Sequence, residues 1–217
     1  MPISEKLTKL VKQKKIEYID LKFSDLIGGW HHITIPVTSL KDELFKYGVG
    51  VDGSSLPGFT KIEKGDMILL PDPKTVFIDP FFDSPTLSFI CDIMEIDEKV
   101  QQYSRNPRRV VRDADKYLKK MMPGVSTVLG PEFEFYLFDD VKFHQGPEEG
   151  YYFIDSEEAE WNTGREGTKN LGYKVQYKGG YHAAPPLDRT HNIRSEMTSL
   201  LKDVGINLKY HHHEVGI

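Results

Sequence analysis

The sequence predicts an α+β chain with two domains. Three observations carry that expectation. Short apolar runs with period-two alternation crowd residues 17–93. Amphipathic helical stretches flank them on either side. A polar stretch, residues 97–106, then separates this set from a second group of helix- and strand-like segments, and reads as a linker. The expected boundary falls between a first domain, residues 1–102, and a second, residues 103–217.

In chain order, Ser4 can cap a helix over about residues 5–15, with Leu7, Leu10 and Val11 on one face. Strands follow over 17–23 and 31–36, joined by a turn through Gly28-Gly29. Thr38 or Ser39 begins a short helix to about Tyr47. Gly48, Gly50 and Gly53 then break the chain into a loop, Gly50-Val51-Asp52-Gly53-Ser54-Ser55. Strands are expected at 67–70, 75–78 and 87–93, separated by Pro-rich turns. A small mixed sheet with one or two helices accounts for this half. Beyond the linker, Pro107 suits the first turn of a helix to about Met121. A strand is expected over 127–138, then a long polar excursion to Gly180. A helix capped by Asp188 and closed by Gly205 spans about 188–204, and a last strand about 206–215.

Composition narrows the function classes. Twelve Phe and eleven Tyr in 217 residues fit a chain that buries a core rather than a disordered one. A net charge of −5, without a basic cluster, speaks against a nucleic-acid partner. No apolar stretch approaches the roughly 20 residues of a membrane span. No apolar signal core opens the chain, so a cytoplasmic location is expected and no membrane partner. The one cysteine, Cys91, lies in an apolar run and reads as a small buried hydrophobe.

The chemistry gathers at Gly130-Pro131-Glu132-Phe133-Glu134-Phe135. On a strand, Glu132 and Glu134 share a face, roughly 6–7 Å apart at Cα, while Phe133, Phe135 and Leu137 share the other. Two carboxylates among aromatic residues call for a cation, and glutamate oxygens favour Mg²⁺ or Mn²⁺. Alone, the pair also reads as a solvated strand face. Glu214 is a third candidate acid. It follows His211-His212-His213, of which alternation puts only His212 on the Glu214 face; the other two read as structural or solvated. The Asp52 loop offers a carboxylate and the Ser54 and Ser55 hydroxyls on a flexible edge, though alone it would pass for a turn. Lys178-Gly179-Gly180-Tyr181 forms a hinge leading to Pro185-Pro186.

Taken in order, these pieces resemble glutamine synthetase of the bacterial and archaeal type. The matching motifs are Val51-Asp52-Gly53-Ser54-Ser55, Gly130-Pro131-Glu132-Phe133-Glu134-Phe135, Lys178-Gly179-Gly180-Tyr181 with Pro185-Pro186-Leu187-Asp188, and His211-His212-His213-Glu214-Val215. The resemblance extends over essentially the whole chain. It implies a β-grasp-like N-terminal domain followed by the first part of a catalytic domain, a curved antiparallel sheet with outer helices. It implies ATP-dependent ligation of ammonium to L-glutamate through γ-glutamyl phosphate, with two divalent ions. Glu134 and Glu214 would serve the ion on the glutamate and ammonium side, and Glu132 the ion that meets the ATP phosphates. Asp52 would take the proton from ammonium, with Ser55, Tyr181 and Glu214 completing that pocket. Lys209 and His212 fall at cofactor-side positions, although the family often carries glutamate where Lys209 stands. The assembly implied is a homo-oligomer of two stacked hexameric rings with active sites shared between subunits.

Family members run for roughly as much sequence again. The remaining metal ligands, the glutamate-binding arginines and most of the nucleotide pocket are expected there. The 217-residue chain alone is therefore expected to have no synthetase activity. Two other readings stand beside this one: a ligase of the same family that joins glutamate to a larger amine, and a non-catalytic assembly protein.

Overall fold

Alternation on β1 (Tyr18–Ser24) decides the first half of the fold. Ile19, Leu21 and Phe23 are buried on one face. In the computed structural model, which describes residues 3–163, 166 and 172–216, this strand lies second in a seven-stranded sheet. The helix α1 (Ile3–Lys14) precedes it, and the antiparallel β2 (Trp30–Pro36) follows at the sheet edge. Then come α2 (Asp42–Tyr47), β3 (Val49–Asp52), β4 (Asp66–Pro71), β5 (Phe77–Ile78), β6 (Thr86–Ile96) and β7 (Val100–Gln102). The path is β2-β1-β6-β4-β3, with β5 and β7 paired to β6. The β1–β6 pairing is parallel, and the other strand pairs of this sheet are antiparallel. Leu7 of α1 and Leu44 of α2 cover the apolar face with Leu69, Leu87, Phe89, Cys91 and Ile93, and Phe45 meets Phe89 edge-on. Each such large apolar side chain contributes about 1.5–3 kcal/mol by leaving water.

The other face of β1 is charged. Lys22 Nζ sits 3.0 Å from Asp20 and 3.1 Å from Asp79, His32 Nδ1 and the Thr34 hydroxyl lie 2.7 Å from Asp20, and Ser88 donates to Asp79. Burial raises the Asp20 pKa, but hydrogen bonds from His32, Thr34 and Lys22 outweigh it, and the net shift is downward. Period-two reading marks the inner face of this strand but carries no sign that its outer face holds a buried ion network.

Several elements differ from the sequence expectation. Helix α1 begins at Ile3, so Ser4 stands inside it rather than before it. Residues 37–39 form a single 3₁₀ turn, and α2 starts only at Asp42. Gly50-Val51-Asp52 is not a loop: it pairs with β4 as β3, and the turn comes after it as a 3₁₀ segment at Gly53–Ser55. The polar stretch that reads as a linker contains β7, because Val100–Gln102 finds an open edge on β6. Helix α3 (Pro107–Met121) forms where expected, capped by Asn106, whose side chain accepts from the Arg108 amide. None of its residues is buried, and Val110, Val111, Tyr117 and Met121 are exposed.

Contacts divide the chain into two compact units, Met1–Val128 and Leu129–Ile217. In the second unit, β8 (Asp140–Gln145) and β9 (Gly150–Asp155) form an antiparallel hairpin that the polar composition of the excursion conceals. Helix α4 (His191–Asp203) ends in Gly205 at φ 90°, where Ile206 N–H reaches Leu201 O and Gly205 N–H reaches Lys202 O. Its N-cap is Thr190 rather than Asp188; Asp188 instead accepts from the Thr190 amide and from Arg194. The strands expected over 127–138 and 206–215 belong to neither sheet. A strand exists only with a ladder partner; the 206–215 run meets the 180–182 turn through isolated bonds, His182 N–H to His213 O and Gly180 N–H to Val215 O, but neither segment enters a ladder among the described residues. Tyr136 and Phe138, two residues apart, still stack with planes 4° apart, as an extended backbone places them.

Burial pushes the Cys91 thiol up to about 12. At neutral pH it is expected to resist iodoacetamide in the native chain and to react fully in 6 M guanidinium (roughly the denaturant level that unfolds even very stable domains), as mass spectrometry would read. Rapid native alkylation would contradict its place in the core.

Candidate functional site

Two places gather the candidate residues. The first lies in the first unit, at the end of β3. Asp52 Oδ1 accepts from the Ser54 amide at 2.8 Å and the Ser54 hydroxyl at 2.6 Å, while Oδ2 accepts from Ser55 Oγ at 2.8 Å. These bonds, the Ser54 hydroxyl first, hold the exposed carboxyl below the usual carboxylate range. Packing fixes the turn: Gly53 is buried over Met67, its amide donates to Gly65 O at 2.7 Å, and a Cβ on Gly65 would lie 2.8 Å from Asp52 Oδ1. The result is a solvent-facing anion in a fixed orientation.

The second lies in the second unit, where the 178–182 turn meets the histidine run. His182 N–H donates to His213 O at 3.0 Å, and Gly180 lies so close that a Cβ there would be 2.6 Å from Glu214 O. Only glycine permits that approach. It brings Tyr181, His212 and Glu214 together: Tyr181 meets the His212 ring edge-on at 5.6 Å, and His212 Nε2 lies 3.4 Å from Glu214 Oε1.

The three histidines take separate roles. His211 faces α4, where Arg194 Nε donates to its Nδ1 and Ser195 Oγ lies 3.2 Å from Nε2. Burial, reinforced by the Arg194 charge, lowers its pKa and favours the neutral ring. His213 is buried with Nε2 3.3 Å from Glu158 Oε1. His213 Nδ1 meets the Glu214 backbone oxygen at 2.7 Å, while His212 is the one of the three that turns to the Glu214 carboxylate.

Glu132 and Glu134 are exposed on the unpaired 129–138 segment, and among the described residues neither makes an ion pair. No group of three His, Cys, Asp or Glu side chains comes within metal-holding reach of one another among the described residues. Glu132, Glu134 and Glu214 therefore do not converge here. Lys209 is exposed, its ammonium 5.1 Å from the Tyr210 ring. Residues 206–215 form no strand, so strand alternation assigns Lys209 no face relative to Glu214. Two neighbours escape the sequence reading, His182 and Tyr210, which both pack rings on His212. Their adjacency to Tyr181 and His211 is the available signal.

A mixed-sheet unit with a carboxylate turn, followed by a segment bearing acids and a His-Glu pair, makes an α+β chain. A family model described as "Glutamine synthetase, beta-Grasp domain" matches residues 15–96, and one described as "Glutamine synthetase, catalytic domain" matches residues 104–217. The chain belongs to the glutamine synthetase family. It is 42% identical over 212 residues to the glutamine synthetase of Aquifex aeolicus (strain VF5), a match covering 98% of this chain and 44% of that protein. To the Azotobacter vinelandii glutamine synthetase it is 42% identical over 213 residues, 97% of this chain and 45% of that one. A cryo-EM structure of Plasmodium falciparum glutamine synthetase superposes with a TM-score of 0.77 and 20% identity, over 98% of this chain and 42% of that chain, which supports the fold. The chain spans less than half the length of these relatives.

Proposed function

We propose that the chain carries the first part of a glutamate–ammonia ligase, which joins ammonium to L-glutamate at the expense of ATP. We take its domains as residues 1–102 and 103–217. The observation that carries this reading is the convergence of the 178–182 turn and the 211–215 run on Glu214. Tyr181 meets the His212 ring, and His212 meets the Glu214 carboxylate, which supports reading Glu214 as the acid of a small-cation site.

The donor chemistry also fits a divalent cation. His212 Nδ1 donates to His213 O at 2.9 Å, which leaves Nε2 as the ring nitrogen that faces the Glu214 carboxylate, 3.4 Å from Oε1. An imidazole nitrogen and a carboxylate turned toward one another are ligand types that suit a metal cation. In the completed enzyme, Glu134 and Glu214, which do not converge in this chain alone, would hold one Mg²⁺ or Mn²⁺ and Glu132 the other, and the ions would supply charge neutralisation for the phosphoryl group.

The chain's own groups do the rest. Glu214 and Tyr181 bind ammonium through a carboxylate and an aromatic face. Asp52, kept anionic by its serine donors, accepts the proton that ammonium must lose before its nitrogen can attack γ-glutamyl phosphate. Phosphate then leaves and the amide of glutamine forms. In the assembly proposed, two hexameric rings, Asp52 serves the site of a neighbouring subunit. ATP and glutamate as substrates favour the cytoplasm, and among the described residues no helix is long and apolar enough to cross a membrane.

The exposed face of α3 and the unpaired, apolar-rich 129–138 segment support the view that this portion packs against further sequence of the kind its longer relatives carry. The purified 217-residue chain is expected to form no glutamine from ATP, glutamate and ammonium. A chimera of residues 1–217 followed by the remaining part of the Aquifex aeolicus relative is expected to form it. Glutamine made by the short chain would overturn the reading.

A further inference from the structure

We infer that His182 is a positioning residue for the Glu214 site: its ring holds His212 in the orientation that turns Nε2 toward the carboxylate. This rests on the reading of Glu214 as a cation-binding acid. His182 adopts φ 55°, an uncommon conformation for a residue other than glycine. Such an outlier on an exposed turn invites a functional explanation. Its amide is fixed by the bond to His213 O, so the side chain cannot drift with the turn.

The ring then packs against two others, which also meet each other. Its centroid is 4.3 Å from that of Tyr181 and 4.3 Å from that of His212, with planes 32° apart in the second pair. Tyr210 packs on His212 as well, at 5.9 Å. His212 has two anchors on its edge, the Nδ1 bond to His213 O and the approach of Nε2 to Glu214. Neither anchor stops the ring from tilting about its own edge. A ring packed against it at a tilt of 32° does. Rotating His212 away would carry Nε2 off Glu214 and separate the two groups. The role given to His182 involves no contact with acid or substrate; it acts only through His212.

The test uses the purified 217-residue chain with histidine Cε1 labelled with ¹³C, and Mn²⁺ as the probe. In the wild type, Mn²⁺ is expected to broaden the His212 signal. His182→Ala is expected to shift that signal in the absence of metal, through the lost ring current, and to raise the Mn²⁺ needed for half-broadening about tenfold, as losing a supporting neighbour of a metal ligand does. His182→Phe, which keeps an aromatic face, is expected to stay near wild type. If the alanine variant does not fold, His182→Leu takes its place, similar in bulk and without a ring.

An unshifted His212 signal and an unchanged Mn²⁺ requirement in the ring-less variant would overturn the proposal and leave the Glu214 site intact. A His212 signal that Mn²⁺ does not broaden even in the wild type would instead remove the cation-site reading, and the proposal with it. A wild-type response to Mn²⁺ in Glu214→Gln would do the same.

Discussion

Asp52→Asn in the chimera is expected to lower glutamine formation by about 10²–10⁴-fold, the contribution usual for a positioned general base. Ammonium has no lone pair, so some group must take a proton before nitrogen can attack. The asparagine amide would keep the shape of the turn and can still accept from the Ser54 amide and hydroxyl, but it cannot accept that proton. The loss should therefore fall on turnover while the fold stays. Because its serine donors hold the Asp52 carboxyl below the usual carboxylate range, the base is available across neutral pH, and its own titration should not limit the rate there. The assay is steady-state glutamine formation with far-ultraviolet circular dichroism as the control. Wild-type turnover in the asparagine variant would remove Asp52 from the chemistry.

Arg194→Ala is expected to destabilise the second unit by about 3–5 kcal/mol, as breaking one side of a buried ion pair does. The Arg194 and Asp188 side chains are 11% and 3% exposed and meet at 2.5 Å. Arg194 also donates to Thr190 Oγ1 and to His211, so one guanidinium ties the start of α4 to the histidine run. Without it, Asp188 is left as a buried charge. Burial raises the Asp188 pKa, but the Arg194 hydrogen bond and charge outweigh it, and the net shift is downward. A depressed carboxylate stabilises the fold above its unfolded pKa of about 4 and loses that contribution as pH falls through the folded value. The wild type should therefore weaken on acidification below about pH 4, and Arg194→Ala should show less of that dependence. Urea titrations with hydrogen exchange on α4 would read both effects; equal stability of the two proteins would contradict the role given to the pair.

These residues also show what sequence can reveal. Ile19, Leu21 and Phe23 alternate with polar neighbours, and β1 is legible for that reason. Pro107 after Asn106 marks α3 by capping chemistry, and Gly205 marks the end of α4 by its left-handed geometry. Val49–Asp52 is not legible as a strand because its glycine reads as a breaker, whereas pairing with β4 decides the matter. The same logic runs in reverse at 127–138. Its alternation is strong, but a strand is a property of two segments, and no ladder forms there among the described residues. Asp188 and Arg194 are six positions apart across a turn and a helix start, a relation that no period announces. At the site, motif spacing singles out Tyr181, His212 and Glu214 separately. Their meeting depends on the close approach at Gly180, which only the three-dimensional arrangement reveals.

The most direct measurement compares two proteins in one assay: the 217-residue chain and its chimera with the remaining part of the Aquifex aeolicus relative, each given ATP, L-glutamate and Mg²⁺ with either ammonium or methylammonium. Glutamine from the chimera with ammonium, little product with methylammonium, and none from the short chain is the predicted result. Glutamine from the short chain, or a folded chimera that ligates methylammonium in preference to ammonium or ligates nothing, would contradict it.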